Sequence, residues 1–300
     1  MSKRISSILI ITLAVFTFFS CNKKYASADA VPQKKIQRIV SLGPSATEIL
    51  FAIGAGDKVV ARTAFCDYPK EVADIPSVGG FSSESENLEA IISYKPDMVY
   101  LFAGMHDSFI KPLEDLGITV YVSDAASIKA VEDEILAVGK LTGCEVKAEE
   151  VVKQMNVELS EIKAKVTEAK NKSERKEYKM FWQLWDDPLM TAGKKSYIND
   201  IIEAAGWINI FGDVEQAYPV VSAEAVISAK PNYVIMTGSS EISGTFSNVV
   251  FDKEYIELLH EQNDFWGAAY MENCEITRPS PRVVNTVKEF ADMMISYSKK

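Results

Sequence analysis

Between Ala148 and Ala169, apolar residues recur at alternating spacings of four and three: Ala148, Val152, Met155, Leu159, Ile162, Val166 and Ala169, with charges between them. At 3.6 residues per turn this spacing gathers them on one stripe, which predicts a single amphipathic helix from Val146 to Lys170. At ~1.5 Å per residue it would extend about 37 Å, enough to run along a whole domain rather than cross back over one sheet. A free coiled coil would need further heptads to pair with, and the rest of the chain supplies none. The remaining elements must therefore pack on either side of one long strut.

On its N-terminal side, Arg38 to Leu42 reads as a short apolar strand broken by Gly43-Pro44, after which Ser45 is placed to cap a helix through Glu48, Leu50 and Ile53 to Gly54. A strand at Val59-Val60, a helix over Asn87 to Tyr94, a strand over Met98 to Phe102, a helix over Ser108 to Leu116 and a strand over Ile118 to Val122 follow. Such alternation predicts an α/β lobe with a mainly parallel sheet. Beyond the charged run 171–179, a strand over Met180 to Leu184, a turn at Asp187-Pro188, a helix over Ser196 to Ala205 and a strand over Tyr233 to Thr237 repeat the scheme. Laid ungapped on Ser222 to Thr237, Asn87 to Phe102 matches at seven of sixteen positions: Glu89/Glu224, Ala90/Ala225, Ile92/Ile227, Ser93/Ser228, Lys95/Lys230, Pro96/Pro231 and Val99/Val234. The predicted architecture is two similar α/β lobes, 38–145 and 173–300, with mainly parallel sheets, joined by one long rigid α-helix, 146–172.

The first residues are of another kind. Lys3 and Arg4 precede an apolar run from Ile5 to Phe19, short for a membrane span but suited to the core of a secretory signal over 1–20. Phe18-Phe19-Ser20-Cys21 resembles a bacterial lipobox, making Cys21 the lipid-accepting N-terminus and 21–37 a flexible tether; Ala26-Ser27-Ala28 offers an ordinary cleavage site instead. Export is expected, to the periplasmic or cell-surface side, with a lipid anchor in the membrane. A formal charge of −10 without a long basic stripe argues against nucleic acid as a partner. Cys66, Cys144 and Cys274 lack close pair spacing, so each reads as a small semi-buried residue rather than part of a disulfide framework or zinc knot.

A cleft between two lobes is a common place to bury a small ligand, and catalytic machinery is sparse. His106 and His260 fall in different halves without paired-His spacing, and Pro188 stands where a phosphate loop ending at Gly193-Lys194 would carry its first glycine. No nucleophile elbow is present. No catalytic residue, metal site or resident cofactor is therefore expected. Phe65, Tyr68, Phe81, Phe102, Trp182, Trp185 and Tyr218 lie in or beside predicted strand ends and loops, where they either line a cleft that suits a large planar ligand or belong to the core. Glu89 and Glu224 fall two residues after the N-cap candidates Asn87 and Ser222. The helix dipole alone explains a carboxylate there, but its recurrence fits a two-fold partner bearing paired arginines.

At these residues the chain resembles the cobalamin-binding proteins of vitamin-uptake ABC transporters, within the wider class of helical-backbone iron-chelate and cobalamin receptors. The likeness covers Arg38 to the C-terminus. It rests on the run Arg38-Ile39-Val40-Ser41-Leu42-Gly43-Pro44-Ser45-Ala46-Thr47-Glu48, on Cys66-Asp67-Tyr68-Pro69, on Asn87-Leu88-Glu89 with Lys95-Pro96-Asp97, and on Ser280-Pro281-Arg282. The resemblance implies a class III periplasmic-binding-protein-like fold whose long helix limits closure. It implies a monomer that binds one small molecule between its lobes, docks on a homodimeric permease with its ATPase, and catalyses nothing. By motif position, aromatic contacts to a corrin fall on Phe65, Phe81, Phe102 and Tyr218, further ligand-side positions on Met190 and Arg278, and docking carboxylates on Glu89 and Glu224. Tyr68 and Trp185 join that set from their placement. A haem or ferric-siderophore receptor of the same class is the nearest alternative, and a tethered cleft enzyme is the alternative of a different kind.

Overall fold

Alternating strands and helices carry the chain from Ile39 to Ser123 in the computed structural model. Strands β1 (Ile39–Ser41), β2 (Val59–Arg62), β3 (Met98–Phe102) and β4 (Thr119–Ser123) pair in parallel in the order β2-β1-β3-β4. Helices α1 (Pro44–Ala52), α2 (Leu88–Ser93) and α3 (Asp107–Asp115) connect them, and α4 (Ile128–Thr142), which the pattern above does not foresee, follows β4. The structure describes residues 35–80, 87–237, 253–261, 264–271 and 277–299, and the chain from Lys35 onward forms one compact unit. The expected signal segment and Cys21 lie outside the described residues, as does Phe81. Among the described residues, no helix is long and apolar enough to cross a membrane.

Gly43, not Ser45, precedes α1. Pro44 occupies its first turn, where a fixed φ suits the helix and a missing N–H leaves nothing unpaired, and Ser45 is buried inside it. Gly143, left-handed at φ 72°, ends α4. The strut then follows as α5 (Glu145–Lys172). Ala148, Met155, Ile162 and Val166 of the predicted stripe are buried, and Val152, Leu159 and Ala169 half-buried. α4 and α5 approach so closely that a Cβ on Gly139 would lie 2.4 Å from that of Ala148.

The second sheet contains β5 (Lys179–Asp186), β6 (Leu189–Thr191), β7 (Ile208–Asn209), β8 (Tyr233–Thr237) and β9 (Gly267–Met271). Its order is β6-β5-β8-β9 with β7 also on β5, and β6 is its one antiparallel strand among the described residues. Asp187-Pro188 makes the β5–β6 turn, as expected. Helices α6 (Tyr197–Ala204), α7 (Ala223–Ala229), α8 (Lys253–His260) and α9 (Val283–Tyr297) complete this half. The internal repeat persists in the backbone. Lys95 (φ 48°) and Lys230 (φ 52°) are both left-handed just after α2 and α7. Two residues on, Asp97 Oδ2 accepts the N–H groups of Gln37 and Arg38 at 3.0 and 3.2 Å, while Asn232 Oδ1 accepts that of Lys179 at 2.7 Å.

One apolar core serves both lobes. It joins Ile39, Ile49 and Leu50 to Val131, Ile135 and Val138 of α4, then through Met155, Ile162 and Val166 of α5 to Met180, Trp182, Val287 and Phe290. Smaller clusters cover the outer faces, one around Val40, Val99, Leu101 and Phe109, the other around Phe181, Leu189, Val226 and Val234. Both faces of each sheet are thus covered, as parallel sheets require. Separating the lobes would expose this shared core at ~25 cal/mol per Å² of apolar surface. A polar tie adds to it: Asp200 of α6 accepts the Ile128 N–H at the start of α4 at 2.6 Å.

Candidate ligand-binding site

Loops leaving the C-terminal ends of strands in one sheet meet those of the other. Arg278, beyond β9, pairs with Asp67, beyond β2. Burial, and then the charge of Asp124 just past β4, push the Tyr218 phenol pKa up. The carboxyl ends of the strands are where open α/β sheets bind ligands.

The loop after β2 is fastened by Cys66. Its buried thiol accepts a hydrogen bond from Thr47 Oγ1 at 3.1 Å and lies 3.2 Å from Thr63 Oγ1, while Thr47 is tied to Ser41 Oγ at 2.8 Å and to the Gly43 carbonyl at 3.1 Å. Burial pushes this thiol's pKa up, so its role is packing. With Cys66 pinned against α1, its neighbours Phe65 and Tyr68 are turned outward. Phe102, half-buried at the end of β3, stacks on Tyr100 with centroids 6.4 Å apart. His106 Nδ1 accepts the Phe102 N–H at 3.1 Å, which makes this buried histidine a support for the turn. His260 packs edge-on against Phe265.

On the other half, Trp185 and Met190 face each other across the β5–β6 hairpin, and the Trp185 Nε1–H donates to the Asp187 carbonyl at 3.1 Å. The loop bearing Tyr218 is zipped to the segment after that hairpin. Gly193 N–H donates to Ala217 O (2.8 Å), Lys194 N–H to Val214 O (2.8 Å) and Thr191 N–H to Pro219 O (3.1 Å). Phe65, Tyr68, Trp185 and Tyr218 are 41%, 46%, 51% and 52% exposed, so four large rings near these strand ends keep surface open to solvent, with the Arg282 guanidinium lying over one face of Tyr68. Trp182 is different: it lies fully buried edge-on to Phe290, because mid-sheet β5 is covered on both faces. Met105 and Val220 are exposed near the same strand ends, apolar contributors that an aromatic count does not flag.

Arg278 is buried, with its guanidinium 3.0 Å from Glu48 and 2.6 Å from Asp67, and its carbonyl accepts the Tyr197 hydroxyl at 2.9 Å. The hydrogen bond from Arg278 is the main reason the Asp67 carboxyl is held below the usual range. Glu48 and Asp67 are not singled out as site residues in the sequence; the available signals are their places in two of the motifs quoted above and the single charge that Glu48 brings to an otherwise uncharged helix. Glu89 and Glu224 are both exposed in first helical turns, capped by Asn87 Oδ1 on the Glu89 N–H at 2.8 Å and by Ser222 Oγ on the Ala225 N–H at 3.2 Å. The Glu224 carboxyl is held below its ordinary range by its own backbone N–H and by the Ser222 hydroxyl. Among the described residues, no group of three or more His, Cys, Asp or Glu is placed to hold a metal ion.

Two lobes with mainly parallel sheets around one long helix, with partly exposed aromatic side chains at the strand ends, define a bilobal binding protein of the helical-backbone class. The chain belongs to the periplasmic binding protein family, whose model matches residues 39–254. It is 28% identical over 277 residues to a vitamin B12-binding protein of Vibrio parahaemolyticus, covering 92% of this chain and 96% of that protein. It is 31% identical over 284 residues to an ABC transporter substrate-binding lipoprotein of Bacillus subtilis, YvrC, covering 89% and 82%. The crystal structure of the periplasmic vitamin B12 binding protein BtuF of Vibrio cholerae is similar at a TM-score of 0.70 and 26% identity, over 88% of this chain and 98% of that one. The chain is thus a substrate-binding protein of ABC transport, a group that takes up small ligands and works with a permease and its ATPase.

Proposed function

We propose that this protein captures cobalamin or a related corrinoid between its lobes and delivers it to a homodimeric permease from a lipid anchor at Cys21. The observation that carries this reading is the set of partly exposed rings gathered at the strand ends of the two sheets, Phe65, Tyr68, Trp185 and Tyr218, with Phe102 and Met190 half-buried beside them. Phe81 joins them by motif position. A corrin is a broad, mostly flat macrocycle, and each well-placed ring favours it by ~0.5–1.5 kcal/mol beyond area effects. Relatives named for vitamin B12 support the choice of cargo. Glu89 and Glu224, equivalent in the two lobes, are the carboxylates offered to the two halves of the permease. The protein acts as a monomer and leaves its cargo chemically unchanged.

The test is a titration of the purified mature protein with cyanocobalamin, haemin and a ferric hydroxamate. Saturable one-to-one corrinoid binding is expected. Saturable haemin or ferric-hydroxamate binding without corrinoid binding would replace the cargo, and turnover of a bound compound would replace the function.

A further inference from the structure

Four charges converge between the loop after β2 and the segment entering α9. Arg278 Nη1 donates to Glu48 Oε1 (3.0 Å) and Asp67 Oδ1 (2.6 Å), and Nη2 to Asp67 Oδ2 (3.1 Å). Arg282 reaches Glu48 at 3.3 Å and covers the Tyr68 ring 4.1 Å from its centroid, while the second Glu48 oxygen accepts the Ser280 hydroxyl at 2.6 Å. Glu48 is 2% exposed but Asp67 57%, so the chain of ion pairs runs from the interior out to the aromatic loop. Desolvation offsets most of the Coulomb gain of a buried pair, so stability alone is a weak reason for this network. A forked arginine–carboxylate contact supplies fixed geometry instead. Here it fixes parts of the chain 230 and 211 residues apart.

We propose that Arg278 is a positioning residue: based on Glu48, it grips Asp67 and so sets how the loop 63–69 presents Phe65 and Tyr68, acting on the ligand through that loop. This rests on the corrinoid reading above. The test is a double-mutant cycle in cyanocobalamin affinity, combining Arg278→Met and Arg278→Lys with Asp67→Asn. Hydrogen exchange of the loop 63–69 is measured alongside on the ligand-free proteins. Arg278→Met should weaken binding about tenfold in the native background and less than about twofold beside Asp67→Asn. It should also speed exchange in the loop while leaving β8 protected. Arg278→Lys, which keeps the charge but not the fork, should fall between and guards against a methionine variant that does not fold. An equal loss of affinity in both backgrounds would mean that Arg278 touches the ligand and would overturn the proposal, as would unchanged loop exchange. If the native protein bound no corrinoid, the cargo reading would fall and the exchange result would still decide the positioning role.

Discussion

Replacing Gly193 with alanine crowds the point where the Tyr218 loop is held. Gly193 has no left-handed φ, so contact alone decides the outcome. A Cβ there would stand 2.1 Å from Gln216 O, 2.8 Å from Val214 O and 3.2 Å from Pro219 Cδ. Optimal contact lies near ~3.5 Å, so the main chain 214–219 would have to retreat by more than about 1 Å. The neighbours are backbone atoms and a proline ring rather than a free side-chain end. Three backbone hydrogen bonds join this stretch to residues 191–194. At ~1 kcal/mol net for each, their loss costs about 2–3 kcal/mol. For a chain of this size that lowers Tm by about 4–5 °C. Tyr218 moves with the loop, so cyanocobalamin affinity should fall as well. Thermal melts by circular dichroism, paired with calorimetric titration, measure both effects. A Gly193→Ala protein with native Tm and native affinity would show that close backbone approach does not fix this loop.

Phe65→Ala and Tyr218→Ala should each weaken corrinoid binding by about two- to tenfold with an unchanged circular dichroism spectrum; native affinity in both would move the ligand elsewhere. Glu89→Ala combined with Glu224→Ala should leave affinity intact and impair cellular uptake, and undiminished uptake would remove their docking role. The depressed Asp67 pKa gives a signed pH dependence. Its stabilisation is complete above the ordinary Asp value near ~3.9 and drains as pH falls through the lower folded-state value. The Tm difference between native protein and Asp67→Asn should therefore be constant from about pH 7 to 5 and narrow below about pH 4; a difference that widened in acid would contradict the Arg278–Asp67 pairing.

The long strut was legible because α5 keeps one apolar stripe against a continuous core, and the short strands because parallel sheets buried on both faces read as apolar runs. α4 was not. Its core positions Val131, Ile135 and Val138 share the buried surface with Glu132 and Glu134, and such acids blunt an amphipathic pattern. Glu134 is satisfied by hydroxyls of Tyr100 and Ser123, partners that no helical spacing announces. Residue type and position indicated an aromatic site but not exposure: Trp182 and Trp185 are three residues apart on β5, one in the core and the other uncovered. The repeat located Glu89 and Glu224 because equivalent residues in equivalent helices leave a local trace. Motif position pointed to Arg278, but its pairing with Glu48 and Asp67 left no local trace, since those partners come from the opposite half of the chain.

The shared core and the tie from Asp200 to the start of α4 imply that ligand is received on a preformed face rather than by closure of two lobes. Nitroxides at the exposed positions Lys111 and Lys195, attached through a keto amino acid so that native cysteines stay unlabelled, report the distance between lobes by pulsed electron resonance. Saturating corrinoid should shift the mean distance by less than about 2 Å. A shift of many ångströms, or two resolved populations exchanging on ligand addition, would contradict the picture of one core locking both halves.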